Sequence, residues 1–333
     1  MPARLARPAA RAVPPRRHDA ASSHAPAHRS TASRLPRTLR RLVAAATLAW
    51  SPLAAQDRPA PDVPLIVTGD WLARHLGDTR QAILHAASAR AEYDAGHVPG
   101  ARLLLFSSYA PTLEGLSSQM PPAAQLDSLL ESVGVNDGDR LVIYGQPLQV
   151  ARLLVTLEHL GLKGRVSVLD GGIDAWREGG SPLSREAPAV TRGAFTPRVD
   201  PSVIADVTWL SRNTATPGVR ILDARAPEFY LGYSPGQMPR AGHIPNAMNL
   251  PFSQLTGELT RLRDQPRLSR LFAEAGVKPG DTVVTYCHIG MQASLLYFAA
   301  RRAGLNARLY DGSWEEWSKT ADLPIVTVAG SKP

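Results

Sequence analysis

Two patterns alternate along residues 62–328: short apolar runs, and longer segments whose apolar positions recur at helical spacing. Thr282-Val-Val-Thr-Tyr286 is β-branched and almost uninterrupted, as expected of a strand covered on both faces. Leu126, Leu129 and Leu130, and later Leu268, Leu271 and Phe272, stand at i, i+3 and i+4 and predict amphipathic helices. A further helix is expected over 293–303, closed by Gly304, a residue suited to the left-handed backbone of a helix end. A strand over 307–310 follows. Strands alternating with helices predict an α/β fold built on a mostly parallel sheet.

The pattern occurs twice. Trp71-Leu72 and Ile83-Leu84 reappear as Trp209-Leu210 and Ile221-Leu222, 138 residues on. Gly96-His97-Val98-Pro99 reappears as Gly242-His243-Ile244-Pro245 after 146, and Asp170-Gly171 with Trp176 as Asp311-Gly312 with Trp317 after 141. Ordered matches of this kind mark an internal duplication. The halves are 62–183 and 202–328, with the proline-bearing stretch 184–201 as linker.

A formal charge of +8 suggests a polyanionic partner until it is divided by region: residues 1–55 hold ten Arg and Asp19, or +9, leaving −1 for the rest. The folded part therefore has no basic surface excess to attract nucleic acid, and none is expected to bind. Residues 1–37 lack any periodicity that could build a core and read as disordered. Arg37, Arg40 and Arg41 then precede an apolar run, 42–50, and a small-residue exit, the order of a secretory signal. The run falls short of the roughly 20 residues a membrane span needs. The leader 1–55 thus predicts export to the periplasm, with cytoplasmic residence as the alternative, and no stable membrane insertion after its removal.

The one cysteine, Cys287, excludes an intramolecular disulfide and any multi-cysteine metal site. Cys287 sits where the buried strand gives way to Gly290 and a helix, the position at which α/β folds place their chemistry. Unpaired amides at the helix start favour a thiolate, the nucleophilic form, so a lowered thiol pKa is expected. The duplication supplies an internal control. Gly145 and Leu148 stand where the second half has Cys287 and Gly290, and His85 and Ala87 where it has Asp223 and Arg225. The first half is therefore expected to be inactive, and residues common to both, His243 among them, to serve the scaffold.

Leu222-Asp-Ala-Arg225, Gly242-His-Ile-Pro-Asn-Ala247, Thr285-Tyr-Cys-His-Ile-Gly290 and Asp311-Gly-Ser-Trp-Glu-Glu-Trp317, in this order and spacing, resemble the rhodanese family. Within it, the chain resembles the two-domain sulfurtransferases with an inactive first domain. The resemblance implies two tandem rhodanese-like α/β domains, each a mostly parallel open sheet flanked by helices. It implies that Cys287 carries sulfur as a persulfide, cradled by the backbone of His288, Ile289, Gly290, Met291 and Gln292, with Asp223 and Arg225 as a supporting ion pair. Thiosulfate is the implied donor, and cyanide or a small thiol the acceptor, in a reaction for which the resemblance implies no metal or organic cofactor. A 3-mercaptopyruvate enzyme and a sulfur carrier without turnover are the alternatives.

Three departures stand out. The loop after Cys287 contains no Arg or Lys, only His288 as a group to attract an anion. Residues 227–230 lack the further arginine such enzymes commonly carry, and Arg240, beside the second-half insertion 232–239, is the candidate substitute if that insertion folds over the site. Position 293, six after the cysteine, is Ala, which excludes a phosphatase of the Cys-x5-Arg type, where a guanidinium must clamp phosphate.

Overall fold

The computed structural model describes residues 63–328; the leader expected at 1–55 lies outside the described residues. The first half contributes β1 (Ile66–Val67), β2 (Gln81–Ala87), β3 (Arg102–Leu105), β4 (Arg140–Gly145) and β5 (Val166–Leu169). The second contributes β6 (Ile204–Ala205), β7 (Val219–Asp223), β8 (Met248–Asn249), β9 (Thr282–Tyr286) and β10 (Asn306–Tyr310). They form two five-stranded sheets with the same topology, β1-β5-β4-β2-β3 and β6-β10-β9-β7-β8, and every pairing in both is parallel. The strand read from its unbroken β-branched run, β9, is the middle strand of its sheet, hydrogen-bonded to β10 and β7 and buried from Val283 to Tyr286.

The helix expected over 293–303 runs from Met291 to Arg302. It starts two residues early because Gly290 takes the left-handed conformation (φ 84°) and turns the chain straight from the Cys287 loop into the helix. Its first-half counterpart is the helix Pro147–Leu157. These two helices pack on one another, and Leu153, Leu154, Leu157, Leu295, Leu296, Phe298 and Ala299 belong to a single core shared by both halves. Each fully buried Leu or Phe contributes about 1.5–3 kcal/mol, so this seam ties the halves together. At its polar end the buried Glu158 accepts from Tyr297 Oη (2.5 Å) and Arg301 Nε (3.0 Å), which satisfies a charge that would otherwise be costly to bury. The connecting stretch runs along the first half, where Gly193 N donates to Glu131 O, Arg198 N to Leu160 O and Asp200 N to His159 O.

Candidate active site

Cys287 follows the last residue of β9 and is 1% exposed. Its backbone is held by the segment that leaves β10: Cys287 N donates to Ser313 Oγ (3.3 Å), Trp314 N to Cys287 O (2.8 Å) and Glu315 N to His288 O (2.9 Å). Gly290 then folds the loop back, so that the amides of Ala293, Ile289 and Gln292 donate to the sulfur. Such a ring of donors is an anion nest. Ser294 closes the loop, its Oγ donating to Gly290 O at 2.7 Å.

The thiol pKa runs against the sequence expectation. Burial pushes it up, the three amides pull it down, the Asp223 carboxylate adds to the rise, and the balance is upward. A sulfur this deeply desolvated resists ionisation, so the amides act on the charge that forms when the proton leaves rather than holding a standing thiolate.

Asp223 ends β7, and Arg225 lies two residues on; both are buried. Arg225 Nη2 donates to Asp223 Oδ2 (2.6 Å) and to Gly242 O (2.7 Å), and Arg225 Nε lies 3.0 Å from both carboxylate oxygens. The guanidinium also lies over the Trp314 ring, 4.6 Å from its centroid. Bidentate, desolvated and stacked, this pair has its charge and its donors committed inside the wall.

His288 packs edge-on against Phe229, with ring centroids 4.6 Å apart. Burial, then the nearby Arg225 guanidinium, lowers its pKa to about 4. It is neutral at pH 7 and brings no charge for an anion, which corrects that part of the sequence expectation. The insertion does reach the site: a Cβ on Gly236 would lie 3.2 Å from the Phe229 ring and 3.8 Å from His288 Nε2. Arg240 does not. Its guanidinium donates to the carbonyls of Trp317, Ser318 and Leu323 (2.7, 2.8 and 3.0 Å) and also to that of Thr320. It caps the helix Ser313–Lys319, whose free carbonyls and dipole attract a cation.

The Rhodanese-like domain model matches residues 68–179 and again 206–320. The chain belongs to the rhodanese family. The 3-mercaptopyruvate sulfurtransferase of Escherichia coli (strain K12) is 28% identical over 79% of this chain and 98% of its own length. The thiosulfate sulfurtransferase of Azotobacter vinelandii is 29% identical over 79% and 97%. A solved structure of the anaerobic ergothioneine biosynthesis enzyme from Chlorobium limicola superposes with a TM-score of 0.70 at 21% identity, covering 79% of this chain and 70% of that one; it shares the fold.

The first rhodanese domain cannot hold a nucleophile at the matching place. Gly145 ends β4 at φ 150°, and a Cβ there would collide with the carbonyl oxygen of Ala86. The shallow hollow beside it, lined by Gly145, Asp170, Arg261 and Phe298 among others, therefore has no nucleophile at position 145. The shared histidines do serve the scaffold: His97 and His243 stack on Tyr93 and Tyr230 (3.7 and 3.9 Å) and donate from Nδ1 to the carbonyls of those tyrosines (2.9 and 2.6 Å).

Sequence reasoning missed two groups. Ser313, at φ 52°, bonds Cys287 N and donates to Tyr310 O; a hydroxyl in a turn carries no distinctive signal. Arg152 lies wholly buried against Asp311. A lone arginine in the apolar run 150–155 was a visible anomaly, because unpaired charge is rarely buried.

Proposed function

We propose that this rhodanese transfers sulfane sulfur from thiosulfate to cyanide or a small thiol through a persulfide on Cys287. The observation that carries the reading is the ring of three amides aimed at a buried cysteine sulfur. Cys287 loses its proton and attacks the outer sulfur of thiosulfate. The S–S bond of the donor breaks, and sulfite departs with the electron pair. The transferred sulfur lies about 2 Å beyond the cysteine sulfur, within the same nest of N–H groups, which stabilise its negative charge without reorganising. An incoming cyanide or thiolate then attacks the outer sulfur, leaves as thiocyanate or hydropersulfide, and returns Cys287. Two half-reactions through one covalent intermediate make the kinetics ping-pong.

Both candidate donors are anions, so the cations of the site do not choose between thiosulfate and 3-mercaptopyruvate. Among the described residues beside Cys287, Arg225 is neutralised by Asp223, Arg240 caps a helix and His288 is uncharged, which leaves the ring of amides to meet the charge of either donor. The test is side-by-side kinetics of the full chain with both donors. A higher kcat/KM for thiosulfate is expected, abolished in Cys287→Ser; a clear preference for 3-mercaptopyruvate refutes the assignment of the donor. The positive flank and short apolar run at 37–50 support export, which fractionation of a tagged chain would test.

A further inference from the structure

The wall behind the Cys287 loop is partly built by the first domain. Arg152, on the helix Pro147–Leu157, is 0% exposed, and its Nη1 lies 2.5 Å from Asp311 Oδ1. The other oxygen of Asp311 accepts from Met120 N (2.9 Å). Gly290 fits against this pair with little to spare: a Cβ there would stand 3.2 Å from Asp311 O and 3.4 Å from Arg152 Nη1. Two residues past Asp311 begins the run Ser313, Trp314, Glu315, which holds the backbone of Cys287 and His288. Its far end is also gripped from the first domain, where Ser117 N donates to Glu315 Oε2 (2.8 Å). First-domain groups thus anchor both sides of the segment that fixes the nucleophile.

Arg152 is an expensive way to fill space. None of its three guanidinium nitrogens makes a hydrogen bond of good geometry among the described residues; Nη1 and Asp311 Oδ1 meet only as a close ion pair. A buried ion pair is commonly matched or bettered in stability by apolar side chains of similar size, so stability alone does not account for it.

We propose that Arg152 is a positioning residue for the catalytic loop: paired with Asp311 it forms the wall against which Gly290 turns, and so keeps the amides of Ile289, Gln292 and Ala293 aimed at the sulfur. It acts from a domain that has no nucleophile of its own. The inference rests on the persulfide reading for its place in the reaction, but its geometry can be tested without sulfur transfer.

The experiment compares Arg152→Met, Arg152→Lys and the double variant Arg152→Met/Asp311→Asn with the parent chain. Three readouts are taken: thermal melting, steady-state kinetics with thiosulfate and cyanide, and the pH dependence of Cys287 alkylation by iodoacetamide. Loss of a positioned loop should lower kcat by about tenfold to a hundredfold while KM changes little. The alkylation midpoint should move upward by about half a unit or more as the amide donors lose aim, with Lys retaining more activity than Met. The double variant removes both charges, leaves none uncompensated, and remains informative if Arg152→Met alone fails to fold. A folded Met or double variant with the parent's alkylation profile and kcat overturns the proposal. If the parent transfers no sulfur but the variants still shift the alkylation midpoint, the persulfide reading fails and the positioning role stands.

Discussion

Gly290 offers the sharpest test of whether loop geometry, rather than the cysteine alone, makes the site. Gly290→Ala places a side chain at φ 84°, in the left-handed region that costs an L-residue about 1–2 kcal/mol. The new Cβ also meets Asp311 O at 3.2 Å and Arg152 Nη1 at 3.4 Å, so the loop or its wall must yield by some tenths of an ångström. Gly304 supplies a matched control. It has φ 81° with nothing within 4 Å of its would-be Cβ, and it lies past the far end of the 12-residue helix Met291–Arg302, about 18 Å along the axis. Both variants should lower the melting temperature similarly, by about 2–8 °C for that backbone cost in a chain of this size. Only Gly290→Ala should lose activity, because displacing reacting groups by an ångström or less costs up to about a hundredfold. Differential scanning fluorimetry and thiosulfate:cyanide kinetics on the two proteins decide the matter. Equal melting shifts with equal, near-parental kcat would show that the turn at 290 does not position the chemistry.

Three further outcomes are expected. Stoichiometric thiosulfate should release a burst of sulfite and add one sulfur to the intact mass of the parent but not of Cys287→Ser; continued turnover with cyanide marks an enzyme, while a single burst marks a carrier. Burial, and secondarily His97, hold the His85 pKa near 4 against 6.5 when free, so the folded state favours the neutral ring. That stabilisation is complete above pH 6.5 and is lost as pH falls towards 4; chemical denaturation over this window should show it, and His85→Phe, which keeps the stacking on Tyr144 (4.5 Å), should flatten the fall. If the His85→Phe protein loses stability with acid as steeply as the parent, another group is responsible. Finally, Gly145→Cys in a Cys287→Ser background should melt lower and carry no sulfur by mass, because its Cβ meets Ala86 O; a persulfide at position 145 would refute the account of the first domain.

The fold was legible because periodicity and duplication are local signals repeated many times over. β9 runs over Thr282–Tyr286 as its β-branched pattern foretold, and the helix expected over 293–303 runs over Met291–Arg302, its early start set by Gly290. Cys287, the proposed nucleophile, drew attention because it stands at a junction where a chemically inert residue would do. The electrostatics were not. Whether Arg225, Arg240 and His288 offer charge to a substrate depends on neighbours distant in sequence: Gly242 and Trp314 for the first, helix-end carbonyls near residue 320 for the second, Phe229 for the third. A count of cations near a motif says nothing about how many are already committed. The same holds for the thiol, whose raised pKa follows from a degree of burial that sequence does not state.

These observations change what the silent half is for. The close approach of Gly145 to Ala86 bars a reactive side chain at the position matching Cys287. Yet it covers the apolar face of the Met291–Arg302 helix and grips Asp311 and Glu315 on either side of the residues that fix Cys287. The partnership is partly mutual, since Arg261 of the second domain reaches Asp170, the counterpart of Asp311, but more loosely, at 3.7 Å and with both side chains partly exposed. The tight, buried arginine contact to this aspartate lies on the side where the chemistry is proposed, and the looser one, made by an arginine from a different place in the repeat, on the other. That asymmetry is what a duplicated scaffold should show if one copy has become the support of the other's active loop.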